Sequence, residues 1–575
     1  MKLGEALRVI NSYEGSGADS SNICLATGFM PIHLETFLKA HLLQRSTDEA
    51  IEISTGVYDD LPGNLMRAGE SSSQAIAVVI EWPDLDPRLG LRRLGGWAPD
   101  QLPDIINSVT AQAARLESLI AELAQQKTVA VAFPSLPLPP VSFTCSEQAG
   151  SFELQLLQAV NQCALSLVQE HGCRIVNPQQ MNLLSPLGKR FDVKADLHAG
   201  FPYTIFHASI MADLLARLIY PSQPKKALIT DLDDTLWDGI LGEVGVEDVS
   251  WDLDNNSQIH GLYQQLLAAL AKSGVLIGVA SKNELPLVMN CFQRDDIHLP
   301  KENVYPFDVN WGRKSESIQR ILGKWNIGPE AVVFVDDSLM EIAEVAESHP
   351  QIDCQHFPKG DDQACYQLLL HLRDLFGKES LTQEDAIRQE SLLQGQIVAE
   401  ARDSGESFDT FLEGLGSELT FDWSMSQRDS RAFELINKTN QFNLNGRRIS
   451  ESQWRVKLQD KDGFLLTVSY RDKFGPLGKI AVLSGTISAG GLTVDTWVMS
   501  CRAFSRRIEY ACLKQAFHKF DVNTVSLDYT STVRNGPVHE FLQALKPGVP
   551  EGMVELSQDE FNTQCPRLFN SKKVI

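Results

Sequence analysis

The chain has 575 residues, of which 43% are hydrophobic and 22% are charged, a composition typical of several folded domains rather than of long disorder. Its 51 basic and 74 acidic residues give a formal net charge of −23, which disfavours nucleic acid and anionic membranes as partners. No apolar run reaches the roughly 18 residues of a membrane-spanning helix, the start lacks a signal-peptide pattern, and the ten cysteines show no CxxC spacing, so we expect a cytoplasmic protein with reduced thiols.

The first block, residues 1–222, alternates short apolar runs with segments of helical periodicity. The runs predict strands at Asn22–Ala26, Ile51–Ser54, Ala75–Glu81 and Thr128–Phe133. The intervening segments predict helices at Leu34–Leu43, Leu102–Gln126 and Phe152–His171. Strands that alternate with helices predict a doubly wound α/β domain with a parallel sheet.

The second block, residues 225–380, repeats this alternation with predicted strands at Ala227–Thr230, Val275–Ala280 and Ala331–Val335. A helix-prone connector at 381–404 leads to a third block, 405–550. Longer strands and a few helices there predict an α+β domain, and residues 551–575 are predicted to be a C-terminal tail.

An acidic pair follows the first strand of the second block. Asp231 and Asp233 lie two residues apart in ALITDLDDTLWDG, so their carboxylates share one face of an extended segment, at the strand end where ligands bind in open α/β sheets. Two adjacent carboxylates repel each other unless a divalent cation lies between them, and Thr235 adds a hydroxyl. A solvated acidic loop is the alternative interpretation of such a pair alone.

Further polar residues follow in a fixed order, namely Ser281 with Lys282 and Asn283, then Lys314, then Asp336 with Asp337. Asp231 is suited to attack phosphorus and Asp233 to shuttle a proton. The hydroxyls of Thr235 and Ser281, the Lys282 and Lys314 ammonium groups and the Asn283 amide are suited to bind phosphoryl oxygens. The predicted Mg²⁺ ligands are Asp231, Asp233, Asp336 and Asp337.

These motifs, in this order, resemble the haloacid dehalogenase (HAD) superfamily, which implies a Rossmann-like catalytic domain. The segment between Thr235 and Ser281 is too short for a large cap domain. It contains a flap, Trp237–Val249, and one helix. We therefore expect an open site that another part of the chain has to cover.

Longer stretches resemble the FkbH-like family, namely TLWDGILGEVG (235–245), NKTNQFNLNGRR (437–448) and MSCR (499–502). This resemblance implies transfer of a glyceryl group from the three-carbon substrate 1,3-bisphosphoglycerate to the phosphopantetheine thiol of an acyl carrier protein, with phosphate release, in polyketide or related biosynthesis. Asp238 and the segment SLMEI (338–342) depart from the family pattern and leave the acyl group open. The alternatives are a small-molecule phosphatase and a non-catalytic assembly subunit that binds a carrier protein.

The third block resembles the GNAT acyltransferase fold, in which a splayed strand pair and a helix start hold coenzyme A. Arg502, Arg506 and Arg507 stand where that fold usually has a glycine-rich loop, and we expect them to bind a phosphate of the carrier arm. Cys501 is a candidate acyl relay, with an inert buried thiol as the alternative. Asn440 and Gln441 are candidates for reading acyl hydroxyls, with helix and turn capping as the alternative.

The first block weakly resembles SGNH hydrolases but has Thr27 and Gly28 where a nucleophilic serine is expected. His207 then lacks a serine partner, so we expect a non-hydrolytic scaffold or lid. For the whole chain we expect the Mg²⁺ site to clamp a phosphate while a thiol, from Cys501 or the carrier arm, attacks the acyl carbon across the open mouth of the site.

Overall fold

The computed structural model describes residues 1–13, 20–45, 50–93, 99–139, 147–222, 224–378, 408–425, 430–439, 441–488, 491–532, 535–548 and 552–575. The chain divides into two compact units, Met1–Gln223 and Pro224–Ile575. The predicted connector at 381–404 lies outside the described residues.

Eighteen strands form in the described part of the chain. In chain order they are β1 (Ser20–Thr27), β2 (Ala50–Thr55), β3 (Ala75–Val79), β4 (Thr128–Ala132), β5 (Arg174–Ile175), β6 (Ala227–Thr230), β7 (Leu276–Ser281), β8 (Val304–Val309), β9 (Val332–Asp336), β10 (Asp353–His356), β11 (Glu418–Asp422), β12 (Phe442–Asn443), β13 (Gly463–Asp472), β14 (Gly475–Ser488), β15 (Gly491–Met499), β16 (Thr524–Tyr529), β17 (Gly552–Ser557) and β18 (Ser571–Val574).

The first unit contains the α-helices Leu3–Tyr13, Ile32–Arg45, Leu61–Glu70, Trp82–Leu85, Leu102–Ala124, Ser151–Gln169, Pro178–Leu184, Val193–Ala199 and Ile205–Ile219. The described part of the second unit contains Leu241–Val244, Gln258–Lys272, Leu285–Cys291, Lys314–Trp325, Leu339–Ser348, Asp362–Phe376, Phe408–Gly414, Ser430–Lys438, Glu451–Gln459, Ile508–Phe520, Gly536–Leu545 and Gln558–Gln564. Every described helix is too short or too polar to cross a bilayer.

The first unit is built on a five-stranded parallel sheet of order β2-β1-β3-β4-β5. Successive residues of β1 point to opposite faces, so Ile23 and Leu25 enter one hydrophobic core while Cys24 and Ala26 enter the other. Helices cover both faces, which confirms the predicted α/β arrangement of this block.

The second unit begins with another parallel sheet, of order β10-β9-β6-β7-β8. Its central strand β6 is fully buried and alternates in the same way, with Leu228 in one core and Ala227 and Ile229 in the other. A strand covered on both faces reads as a continuous apolar run, which is why its position could be predicted.

The remainder of the second unit forms a mixed sheet of order β17-β16-β15-β14-β13-β11-β18, with β12 paired to β15. Residues 551–575, predicted to be a tail, instead supply two of its strands, since β17 pairs with β16 and β18 pairs with β11. The alternation of GMVELS fits a half-buried strand, and Val554 and Leu556 are its buried positions.

Candidate active site

Three strand ends in the second unit bring the predicted catalytic residues together. Asp231 directly follows β6, Ser281 ends β7 and Asp336 ends β9. Because β6 lies between β9 and β7 in a parallel sheet, these three residues share the carboxyl edge where ligands bind in open α/β sheets. Each of them is at most 9% exposed.

Three carboxylates form a candidate metal site. Ligand atoms of Asp231, Asp336 and Asp337 all lie within 4.8 Å of one another. Asp231 Oδ1 is buried and accepts no hydrogen bond within the described residues, which is costly unless another group binds it. Oxygen donors of this kind suit a hard divalent cation, so the residues present fit such an ion.

Lys314 joins the two acidic motifs. Its Nζ lies 2.7 Å from Asp231 Oδ2 and 2.7 Å from Asp336 Oδ2, and the lysine side chain is 3% exposed. Burial opposes the charged form, but the two carboxylates outweigh it and raise the pKa of Lys314. Burial, assisted by the charge of Asp231, raises the pKa of Asp336 to about 6. Lys314 therefore offsets part of the repulsion within the carboxylate group.

Asp233 lies apart from that group and is held by three donors. Its carboxylate accepts hydrogen bonds from Trp237 Nε1 at 3.0 Å, the Leu241 amide at 3.2 Å and Asn283 Nδ2 at 3.1 Å. Burial raises the pKa of Asp233 to about 6 against the effect of the hydrogen bonds from Leu241 and Trp237. Asp233 was also predicted to be a Mg²⁺ ligand, but it is not part of the group formed by Asp231, Asp336 and Asp337. Its donors instead orient it as an acid or base.

The two residues predicted beside Ser281 to bind phosphate have protein partners in the structure. Asn283 orients Asp233, and Lys282 Nζ forms an ion pair with Glu341 Oε1 at 2.6 Å. Thr235 is also engaged, because its Oγ1 accepts the Asp337 amide at 3.1 Å. Among the predicted phosphate ligands of this domain, Lys314 contacts the carboxylate cluster, and Ser281 ends the neighbouring strand β7. Phosphate binding by these residues stays a prediction.

Sequence reasoning missed Lys359, which contacts the same cluster. Its Nζ lies 2.8 Å from Asp337 Oδ2 and 2.6 Å from Asp234 Oδ2, and the lysine side chain is 50% exposed. The ammonium group therefore stands at the solvent side of the carboxylates. Lys359 follows the polar strand β10, whose sequence DCQH lacks the apolar run that marked the other strands.

The predicted flap is present and packs against the site. Trp237 is fully buried, and the Asp238 amide and carbonyl pair with Ser250 at 2.9 and 3.2 Å. The side chain of Asp238 is 58% exposed, with its Oδ1 3.9 Å from His260 Nε2. Between Thr235 and Ser281 the chain forms this flap and the helices Leu241–Val244 and Gln258–Lys272, without a separate cap domain.

Cys501 does not face the mouth of this site. It lines a cleft together with Lys226, Leu276 and Ala331, which lie at the starts of β6, β7 and β9. Asp231 follows the opposite end of β6, so about 16 Å of extended chain separates it from Lys226 at roughly 3.3 Å per residue. The expectation that a Cys501 thiol attacks across the carboxylate site does not hold in this structure; a role in acyl transfer stays a prediction.

The gap between β15 and β16, where a GNAT fold holds its cofactor, is filled by the chain itself. β15 pairs with β16 only over Leu492–Val494, and beyond that point it pairs with β12. Asn445 Nδ2 donates to the carbonyls of both Asp495, at 2.8 Å, and Asp528, at 3.2 Å. Segments of the chain therefore occupy the place where the GNAT resemblance implies a pantetheine arm.

Two arginines of the predicted cluster, Arg506 and Arg507, have separate protein partners. Arg506 is 1% exposed, with its Nε 3.8 Å from Asp472 Oδ2 and its guanidinium over the Tyr470 ring. Arg507 pairs with Asp409 Oδ1 at 2.6 Å. The side chain of Arg502 and the whole of Asn440 lie outside what the structure describes, whereas Gln441 lines the Cys501 cleft.

His207 in the first unit has serine partners, contrary to the sequence-based expectation. Its Nε2 lies 2.9 Å from Ser135 Oγ and its Nδ1 lies 2.9 Å from Ser185 Oγ. Ser135 donates its hydroxyl hydrogen to Glu81 at 2.6 Å, so His207 must donate to Ser135. A nucleophilic serine needs the reverse polarity, and His207 is fully buried, as expected for a structural network.

No family model matches the chain, and no curated protein matches it. Among solved structures, it resembles the N-terminal part of the protein BF1531 from Bacteroides fragilis, which contains a phosphatase domain complexed with Mg. The two are 20% identical with a TM-score of 0.54, over 66% of this chain and 100% of that one. An uncharacterized protein from Corynebacterium glutamicum is 18% identical over 27% of this chain and 98% of its own, with a TM-score of 0.19.

The similarity to the BF1531 structure agrees with the α/β architecture and the parallel sheets of this chain. The parallel sheet around β6 carries acidic residues at its carboxyl edge, where the sequence motifs predicted them. The chain therefore shares its fold with a part of BF1531 that contains a phosphatase domain.

Proposed function

We propose that the second unit hydrolyses phosphate monoesters in a Mg²⁺-dependent reaction at Asp231. One observation carries the proposal: the buried Asp231 Oδ1 has no hydrogen-bond donor in the described chain, while three donors hold the nearby Asp233 carboxylate. This arrangement supplies a nucleophile and a separately oriented acid, which are the two groups that stepwise phosphoryl transfer needs. The Mg-complexed phosphatase domain of similar fold supports the choice of metal.

The chemistry divides between the two aspartates. Asp231 attacks phosphorus, and the bond from phosphorus to the leaving oxygen breaks as Asp233 gives that oxygen a proton. Water then attacks the aspartyl phosphate, gives its proton to Asp233 and releases inorganic phosphate. Lys314 and Ser281 bind phosphoryl oxygens. Mg²⁺, held by Asp231, Asp336 and Asp337, would neutralise phosphoryl charge.

Phosphate release from a panel of small phosphomonoesters, with Mg²⁺ or with a chelator, tests this proposal. Asp231→Asn should abolish Mg²⁺-dependent release, whereas the matched control Asp254→Asn, at an exposed loop position, should retain it. Release that persists at the wild-type rate in Asp231→Asn would contradict the proposal.

A second candidate function is acyl transfer to the phosphopantetheine thiol of an acyl carrier protein. It is favoured by one observation, that Gln441 and Cys501, from the two late motifs, meet in a cleft remote from the carboxylate site. Conversion of 1,3-bisphosphoglycerate to a glyceryl thioester removes two phosphates. A thiolate that attacks the acyl carbon expels the first, and hydrolysis of the remaining monoester releases the second. Two separate sites suit these two steps.

Intact-mass analysis of a phosphopantetheinylated carrier protein distinguishes the two steps. With 1,3-bisphosphoglycerate and Mg²⁺, wild-type protein should add a glyceryl group. Asp231→Asn should add a phosphoglyceryl group, and Cys501→Ser should add neither. An unmodified carrier with wild-type protein would reject acyl transfer while leaving the phosphatase proposal intact.

A further inference from the structure

The cleft beside Cys501 is a second concave feature of the second unit. It has a volume of about 160 Å³, enough for a small molecule or the end of a longer one rather than a single water. One side consists of the starts of β6, β7 and β9. The other consists of the helix Ser430–Lys438, the last residue of β15 (Met499) and the two residues after it, Ser500 and Cys501.

The charge of this cleft is opposite to that of the chain. Among its described lining residues five are cationic, namely Lys225, Lys226, Lys378, Arg431 and Lys438, and only two, Glu330 and Glu434, are anionic. The whole chain carries −23. A local excess of cations in a concave surface attracts and concentrates anions, so this excess distinguishes the cleft from the rest of an acidic surface.

Hydrogen bonds hold parts of this lining in place. Lys225 Nζ donates to the Glu330 carbonyl at 2.9 Å, and Lys378 Nζ donates to the Ser273 carbonyl at 3.2 Å. Gln441 Nε2 donates to Asn326 Oδ1 at 2.7 Å, while Gln441 Oε1 is buried and accepts no hydrogen bond from any described residue. A donor on a bound molecule would satisfy this oxygen. The cleft thus combines cations with an acceptor for a hydroxyl or amide.

We propose that this cleft binds a small phosphate-bearing molecule with a hydrogen-bond donor beside the phosphate, and that the bound molecule covers Cys501. Cations stand on both sides of the cleft. On the β6 side are Lys226 and Lys225, the latter 3.6 Å from Asp353 Oδ2. On the helix side Arg431 and Lys438 share the single carboxylate of Glu434, which leaves an excess of positive charge there. A tetrahedral dianion presents oxygens to several sides at once, whereas a carboxylate presents one planar edge. The site is separate from the carboxylate cluster and does not depend on its activity.

Alkylation of Cys501 by the neutral reagent iodoacetamide, followed by peptide mass spectrometry, measures occupancy of the cleft in the full chain. The probes are inorganic phosphate and glycerol 3-phosphate, with chloride and malonate at equal ionic strength for comparison. At ten times the dissociation constant, occupancy should slow alkylation about tenfold. The rate at Cys565, which lies outside the cleft, should not change and serves as an internal control.

Three variants distinguish phosphate binding in the cleft from phosphate binding elsewhere on the protein. The double variant Lys226→Gln/Lys378→Gln should lose protection, and Lys301→Gln, which removes an exposed lysine elsewhere, should keep it. Asp231→Asn should also keep it, because the carboxylate site is not involved. Absence of protection by both phosphate probes, stronger protection by malonate, or equal protection in the double variant would overturn the proposal.

Discussion

The ammonium group of Lys314 lies 2.7 Å from Asp231 Oδ2, at the junction of two motifs more than eighty residues apart in the chain. Its contact with Asp336 has the same length, so this lysine joins the carboxylate that follows β6 to the one that ends β9. Removal of one partner from a buried ion pair is strongly destabilising because the remaining charges lack compensation. The stability of the carboxylate cluster therefore depends on Lys314.

Lys314→Met should lower the free energy of unfolding of the second unit by about 3 kcal/mol in the absence of divalent cations. Added Mg²⁺ should restore part of this loss, since it supplies positive charge to the same carboxylates. Denaturant unfolding with and without Mg²⁺ measures both effects. The exposed variant Lys301→Met is the control, and an equal loss in the two variants would argue against the charge explanation.

Asn283→Ala should lower kcat with little change in KM, because Asn283 orients Asp233 and contacts neither Asp231 nor Lys314 in the structure. We expect a decrease of about tenfold to a hundredfold, a fraction of what a positioned acid contributes. Steady-state phosphate release measures the two constants separately. Asn290→Ala, at an exposed position, provides the control; an increase in KM alone would show that Asn283 binds substrate instead.

The principal strands and much of the carboxylate site could be predicted because both depend on local sequence. A buried strand such as Ala227–Thr230 must be continuously apolar, and a parallel sheet brings residues that follow its strands to one edge. The polar strand β10 offers no such signal, and so Lys359, which follows it, was missed.

The two motifs of the third block, at 437–448 and 499–502, show which structural features local sequence cannot predict. Whether Arg506 lies at the surface or packs on Tyr470 depends on contacts between distant segments, which spacing does not encode. The same holds for Asn445, which joins β15 to β16, and for Cys501, whose neighbours come from the starts of three distant strands. Motif order therefore could not predict the location of these residues.

Acid should destabilise the first unit through His207. Burial, with a smaller effect of the Arg190 charge, lowers the pKa of His207 from 6.5 to about 3, so the neutral ring is favoured in the folded state and its contribution is complete above pH 6.5. Between pH 7 and 5 the protonated unfolded state should gain about 2 kcal/mol relative to the folded one.

His207→Asn should reduce that pH dependence by about the same 2 kcal/mol, whatever its effect at neutral pH. Denaturant-dependent hydrogen exchange of residues 1–223 at the two pH values isolates this unit. An unchanged slope in His207→Asn would show that other groups, such as Glu81, whose pKa burial raises, control the acid response.

Asn445→Ala should destabilise the mixed sheet, because it removes the amide that donates to the carbonyls of both Asp495 and Asp528. Two partly buried acceptors lose a donor, for which we expect a loss of about 2 kcal/mol in the free energy of unfolding. Thermal or urea unfolding measures the loss. Asn523→Ala, at an exposed position near the start of β16, should have little effect; similar values for both variants would mean that the bridge across the gap contributes nothing specific.

Acid quenching of the enzyme during turnover tests most directly whether Asp231 is the nucleophile toward phosphorus. Peptide mass spectrometry of the quenched protein, with Mg²⁺ and an aryl phosphate whose leaving group needs no proton, should detect a transient phosphoryl group on Asp231. This group should accumulate when Asp233 is changed to Asn, because the attacking water then lacks its base. Rapid phosphate release with Asp231 unmodified at every time point would contradict this account.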